Sequence, residues 1–131
     1  MLKKSSYLLR VYYEDTDLAG IVYYANYLKF IERARSEMLK KANVNQMDLI
    51  KRGYFFVVTS LKADYLKPAY FEDSLKVITE VTKIKGASII LQQTIFRSEK
   101  VLFEASIRLA LIDKSGKAAR LPANIRQLLG S

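Results

Sequence analysis

The strongest constraint on how this chain folds is a change of hydrophobic period partway along it. From about Tyr24 to Ala42, Tyr27, Phe30, Ile31, Ala34, Met38 and Ala42 recur at helical spacing, while Lys29, Glu32, Arg33, Ser36, Glu37 and Lys40 fill the remaining positions. That pattern predicts an amphipathic helix of about five turns at 3.6 residues each. Gln46 to Lys51 reads as a short second helix ended by Gly53, and beyond it the period falls to two. Phe55 to Lys67 can place Val57, Thr59, Leu61, Ala63 and Tyr65 on one face, with Pro68 stopping it because proline cannot donate to a sheet ladder. Leu75, Val77, Thr79 and Val81 begin another alternation; Ile89, Leu91, Gln93 and Ile95 follow, then Val101, Phe103, Ala105, Ile107, Leu109 and Leu111. Turns are expected near Lys85-Gly86, at Ser98-Glu99-Lys100 and at Asp113-Lys114-Ser115-Gly116, and a closing helix from Pro122 through Leu129. With a first strand over residues 7–13, this describes an α+β domain: a five-stranded antiparallel sheet wrapped around one long helix.

Residues 1–131 are the size of one domain, and at 50% apolar residues they can build a sizeable core without staples. The chain has neither cysteine nor histidine. Disulfides, thiol nucleophiles, zinc–thiolate sites, Ser-His-Asp hydrolysis and the usual zinc enzymes are therefore excluded, and no metal or cofactor is expected. The N-terminal Leu2-Lys3-Lys4-Ser5-Ser6-Tyr7-Leu8-Leu9 stretch is cut by Arg10, too short an apolar run for a signal peptide, and no segment approaches the roughly 20 residues of a membrane span. A cytoplasmic location is the expectation. A net charge of +9 suits an anionic partner: nucleic acid, an acidic membrane surface met peripherally, or the phosphates of a nucleotide. Lys and Arg are scattered, so the charge also serves plainly as a solubilising surface.

The chemistry concentrates between Tyr12 and Tyr27. A strand-like run ends in Glu14, Asp15 and Asp17, Gly20 allows a sharp turn, and the helical pattern opens at once. Free backbone N–H groups at a helix start can stabilise negative charge developing on a carbonyl oxygen. Asp17 could act on the adjoining carbonyl carbon directly or through a water, although aspartate just before a helix is also a common cap or turn residue. With an ordinary pKa of about 3.9 an aspartate is a feeble base, which suits an activated acyl group such as a thioester better than an amide.

Asp17-Leu18-Ala19-Gly20-Ile21-Val22-Tyr23, with Asn26-Tyr27, Phe30-Ile31-Glu32-Arg33-Ala34-Arg35 and Asp64-Tyr65-Leu66-Lys67-Pro68-Ala69, resembles the 4-hydroxybenzoyl-CoA thioesterase family of hotdog-fold acyl-CoA thioesterases. The resemblance is greatest to the bacterial branch linked with the Tol-Pal envelope system and runs to about residue 128. It implies the hotdog fold and hydrolysis of an acyl-CoA thioester to a free acid and coenzyme A. Asp17 would be nucleophile or general base, and the backbone N–H of Tyr24 would face the thioester carbonyl. That branch usually has a histidine where this chain has Tyr24; the aryl-CoA members have an aromatic residue there. The resemblance further implies coenzyme A phosphates met by Lys83, Lys85 and Arg120, with Thr59 and Ser60 approaching from an adjacent strand. Each of these also reads as an ordinary surface residue. Homodimers or homotetramers with sites shared between subunits are implied as well.

Two other classes fit the same residues. A hotdog domain that binds acyl-CoA or acyl carrier protein without turnover would release no thiol from any acyl-CoA. A nucleic-acid-binding barrel, suggested only by charge and tyrosine content and not expected here, would hold oligonucleotides in a salt-sensitive way that coenzyme A does not displace.

Overall fold

The late alternations form one antiparallel sheet in the computed structural model, which describes residues 2–130; the expected domain limits Met1 and Ser131 lie outside them. Its strands are β1 (Lys4–Arg10), β2 (Tyr54–Tyr65), β3 (Ser74–Ile84), β4 (Ser88–Arg97) and β5 (Lys100–Asp113), in the spatial order β1-β3-β4-β5-β2. The helices are α1 (Asn26–Lys41), α2 (Gln46–Lys51) and α3 (Ala123–Gly130). α1 lies in the sheet's concave face and buries Tyr27, Phe30, Ile31, Ala34, Met38 and Leu39. Against them the strands turn inward Leu75, Val77, Thr79 and Val81, then Ile89, Leu91, Gln93 and Ile95, then Phe103, Ala105, Ile107, Leu109 and Leu111. Each large apolar side chain so enclosed contributes about 1.5–3 kcal/mol. The α+β architecture is the expected one, a five-stranded sheet around one long helix.

Three local expectations are corrected. The first strand runs over Lys4–Arg10 rather than residues 7–13, because Val11 leaves the ladder to exchange backbone hydrogen bonds with the Glu72–Asp73 turn. The Tyr12 N–H then binds the Asp15 carboxylate at 2.8 Å and closes a 3-10 turn at Tyr13–Asp15. In β2, Val57 and Thr59 do not share a face with Leu61. The register to β5 shifts between Val58 and Ser60, so the bulge at Thr59 puts Phe56, Val58, Leu61, Ala63 and Tyr65 on the inner side. Finally, Glu32 and Arg35, which their i, i+3 spacing on α1 would pair at the surface, form no ion pair among the described residues. Glu32 accepts from the Ser36 hydroxyl at 2.7 Å, and Arg35 turns inward.

What Arg35 meets there is polar. Gln93, fully buried on β4, accepts from the Arg35 guanidinium at 3.4 Å and donates from its amide to the Ile31 carbonyl and the Thr79 hydroxyl, both at 2.8 Å. Burial pushes the Arg35 pKa down, only partly offset by Glu32.

β2 is an edge of the sheet, and its inner residues are less covered than those of the central strands. Leu61, Val58 and Tyr65 are 40%, 45% and 46% exposed. Among the described residues no strand pairs with its outer side, an arrangement that invites pairing with another chain.

Candidate active site

The turn carrying Asp17 is built by its own backbone. Asp17 N–H donates to the Ile21 carbonyl at 2.9 Å, Gly20 N–H to the Asp17 carbonyl at 3.0 Å, and Gly20 takes a φ of +82° that disfavours side chains. A bridge between Thr16 and Val22 closes the turn. The turn is pinned to the segment after β2 by a second bridge, Ile21 to Tyr70, and by Val22 N–H donating to the Ala69 carbonyl at 2.9 Å. Ala69 N–H in turn donates to the Tyr27 hydroxyl of α1 at 3.0 Å. Burial raises the Tyr27 pKa, against a smaller lowering by that amide bond. A side chain on α1 thus holds the segment that holds the Asp17 turn.

Within this frame Asp17 is exposed and does not cap the helix. One carboxylate oxygen, Oδ1, accepts the Ala19 N–H at 2.8 Å; among the described residues Oδ2 has no partner. The side chain lines an open cleft of about 550 Å³ together with Tyr13, Glu14, Thr16, Leu18, Tyr23 and Asn26. Glu14 shares the cleft wall, while the Asp15 carboxylate is spent on Tyr12 N–H. Asn26 fixes the helix start, its side-chain amide donating to the Asp15 carbonyl at 2.9 Å.

α1 begins without a side-chain cap and with no acidic residue in its first turn. Ala25 stands at the position that Ser, Thr, Asp or Asn usually fills. Neither the Tyr24 nor the Ala25 N–H has a hydrogen-bond partner among the described residues. Of the amides that follow, Asn26 N–H donates to the Tyr23 carbonyl at 2.8 Å and Leu28 N–H to the Ala25 carbonyl at 3.2 Å, so no acidic group offsets the positive end of the helix dipole in its first turn. Tyr24 itself is not part of the cleft wall; its ring packs on Tyr23 with centroids 4.8 Å apart and on Tyr65 at 6.5 Å.

The other candidates divide by position. Lys85 and Arg120 meet at the β3–β4 hairpin. Leu121 N–H donates to the Gly86 carbonyl at 2.9 Å, the Arg126 guanidinium donates to the Lys85 carbonyl at 2.6 Å, and the Arg120 guanidinium lies beside Gly86. Lys83, two residues earlier, is exposed just past a second bulge between Val81 and Lys83. This hairpin is at the far end of β3 from the Asp17 turn, roughly 33 Å away along an 11-residue strand. Thr59 and Ser60 lie mid-strand on the β2 edge, with the Thr59 hydroxyl donating to the Arg108 carbonyl at 3.4 Å. Within one protomer, neither they nor the basic hairpin meet Asp17.

Two residues at the site escaped the sequence reading. Tyr23 lines the cleft, and Tyr65 donates its hydroxyl to the Tyr24 carbonyl at 2.8 Å. Tyr23 ends the Asp17–Tyr23 motif and could have been named from its place in it; Tyr65 is 41 residues away from its partner, and no local pattern announces that contact.

The chain is similar to known proteins over most of its length. The profile of the thioesterase-like superfamily matches residues 11–129. The acyl-CoA thioesterase YbgC of Haemophilus influenzae is 44% identical over 109 residues, covering 82% of this chain and 80% of that protein. The crystal structure of a probable thioesterase from Bartonella henselae superposes with a TM-score of 0.86 at 36% identity, covering 91% of this chain and 99% of that one. The structure of 4-hydroxybenzoyl-CoA thioesterase from Pseudomonas sp. strain CBS-3 superposes with a TM-score of 0.89, covering 96% and 99%; at 20% identity this likeness speaks to the fold alone.

Proposed function

Because the chain belongs to the thioesterase-like superfamily, we propose that it is an acyl-CoA thioester hydrolase, releasing a free carboxylic acid and coenzyme A. The observation that carries the reading is a cleft lined both by Asp17, one of whose carboxylate oxygens is unbonded, and by Asn26 at the start of a helix that has no side-chain cap. Asp17 acts on the thioester carbonyl carbon, either with its own oxygen or through a water that it deprotonates. Charge that builds on the carbonyl oxygen is met by the Tyr24 N–H and the helix dipole. The C–S bond then breaks and coenzyme A leaves as its thiolate, which takes up a proton; in the direct mode a water then hydrolyses the acyl–Asp17 anhydride, releasing the acid and restoring the carboxylate.

Lys83, Lys85 and Arg120 take the coenzyme A phosphates in this reading, which requires a second protomer. β2 is one of the sheet's two edges, and its first residue lies at the hairpin end of the sheet while its last lies near the Asp17 turn. Pairing two β2 edges antiparallel about a two-fold axis brings each protomer's hairpin end to the partner's Asp17 end, and covers Val58, Leu61 and Tyr65. A homodimer, or a homotetramer built from two such dimers, is the working unit. Light scattering that finds only single protomers at micromolar concentration would refute it. An acyl carrier protein is the alternative carrier, since its thioester offers the same carbonyl.

The deciding experiment is thiol release from aryl, short-chain and long-chain acyl-CoA by the parent and by Asp17→Asn. The variant should fold normally and lose about a hundredfold or more in turnover. Near-parental rates would remove Asp17 from the mechanism, and a parent that binds thioesters but frees no thiol would be a binding protein. Acid-quenched single turnovers separate the two modes of attack, because only direct attack leaves the acyl group covalently on the chain.

A further inference from the structure

Tyr24 is held asymmetrically. Its N–H is free among the described residues, but its carbonyl accepts the Tyr65 hydroxyl at 2.8 Å. Tyr65 is the last residue of β2, and its own position is set by packing: its ring meets Tyr27 at 5.3 Å, Phe103 at 5.0 Å and Tyr24 at 6.5 Å, each edge-on. Tyr27 and Phe103 are buried and stacked on each other at 5.2 Å. The hydroxyl is thus presented from a half-exposed strand end, braced on the core, to the Tyr24 peptide just ahead of α1, inside the turn that Asn26 N–H closes on the Tyr23 carbonyl at 2.8 Å.

We propose that Tyr65 is a positioning residue for the reaction, anchoring the Tyr24 peptide so that the Tyr24 N–H stays aimed at the thioester carbonyl oxygen. The carbonyl and the N–H of Tyr24 belong to adjacent peptide planes hinged at one Cα, so anchoring one plane limits the swing of the other. A donor fixed before the substrate arrives stabilises the developing oxyanion without reorganising, whereas a donor free to swing loses much of that advantage. Burial raises the Tyr65 pKa, with smaller contributions from Tyr24 and Tyr27, so the proton it donates is retained at neutral pH. The assignment also explains a tyrosine at a half-exposed strand end where any apolar residue would continue the sheet. It rests on the hydrolase reading above, with the Tyr24 amide as the oxyanion donor.

The test is Tyr65→Phe in the full chain, which keeps the ring and removes only the hydroxyl. Turnover of an acyl-CoA that the parent cleaves should fall about tenfold to a hundredfold with KM changed less than about threefold, because the lost interaction is one made in the transition state. A second readout is vibrational. In an Asp17→Asn background, an acyl-CoA labelled with carbon-13 at the thioester carbonyl should show a lowered carbonyl stretch when bound. Adding Tyr65→Phe should return that stretch toward its value in solution. An active parent whose Tyr65→Phe variant has kcat within twofold overturns the assignment. So does a rate loss with an unmoved carbonyl stretch, which would make the hydroxyl a packing contact only. A parent that cleaves no thioester overturns the hydrolase reading itself, a failure visible before any Tyr65 variant is made.

Discussion

Tyr27→Phe tests the tie between α1 and the Asp17 turn with a single atom. The phenol oxygen accepts the Ala69 N–H at 3.0 Å, and Tyr27 and Ala69 are 3% and 0% exposed. Phenylalanine keeps the ring stacked on Phe103, where the planes lie within 11° of each other, and deletes only the acceptor. The Ala69 N–H is then buried with no partner in reach, a loss of about 1–3 kcal/mol. At about 2.1 cal/mol/K of unfolding entropy per residue, each kcal/mol lowers the melting temperature of a chain this long by about 4 °C. A drop of about 4–11 °C is therefore expected at fixed protein concentration, with an unchanged urea m-value. Amide exchange at Ala69 should quicken. Because the Ala69 carbonyl holds Val22 N–H and Tyr70 bridges Ile21, thioester turnover should fall severalfold as the turn slackens. A variant within about 0.5 kcal/mol of the parent, with unchanged exchange at Ala69, would refute the reasoning.

Replacing Lys85 and Arg120 together by glutamate should raise KM for acyl-CoA about tenfold or more while leaving kcat near the parent's, since each phosphate contact so reversed is charge-assisted; an unchanged KM at low salt would exclude the hairpin from coenzyme A binding. The Asp113 carboxyl is held below the ordinary carboxylate range first by the Ser115 hydroxyl, then by the Lys117 N–H. A pKa depressed on folding contributes stability that is complete above the unfolded value, about 3.9, and is lost as pH falls through the lower folded value. Asp113→Ala should therefore be less stable than the parent at pH 7, with the gap closing only below about pH 4; urea titrations showing it already closed at pH 5 would contradict this.

Much of the fold was legible because burial writes itself into period. The stripe of Tyr27, Phe30, Ile31, Ala34 and Met38 and the alternation from Phe103 to Leu111 are both visible as spacing and both buried as expected, whereas Val101, read as the start of that alternation, is only partly buried because the register to β4 shifts there and Leu102 is enclosed instead. Spacing cannot report an inserted residue, so the bulge at Thr59, which exchanges the faces of Val57 and Val58, had no signature. Nor could it show that Arg35 prefers Gln93 to a neighbouring carboxylate, because that choice is made by a strand 58 residues away. At the site, Asp17 and Gly20 stood out as a turn before a helix. Whether Asp17 capped the helix was a matter of geometry, and its bond to Ala19 gives the answer. The absent side-chain cap was written at Ala25 all along, since alanine has no polar atom to accept from the first turn. The Tyr65 contact depends on where β2 ends relative to α1, which is a property of the assembled sheet.

The amide of Gln93 also works as a length gauge. Its two bonds reach one particular carbonyl on α1, that of Ile31, and one hydroxyl on β3, that of Thr79. Sliding the helix along its axis by one turn, about 5.4 Å, would present a different carbonyl and a misplaced Arg35, leaving enclosed polar atoms unpaired at about 1–3 kcal/mol apiece. Greasy contacts alone would tolerate such a slip far better. How far the front of α1 projects is therefore metered near the helix's midpoint, so swapping this glutamine for leucine would blur the placement of the helix's first amides even in a chain that still folds.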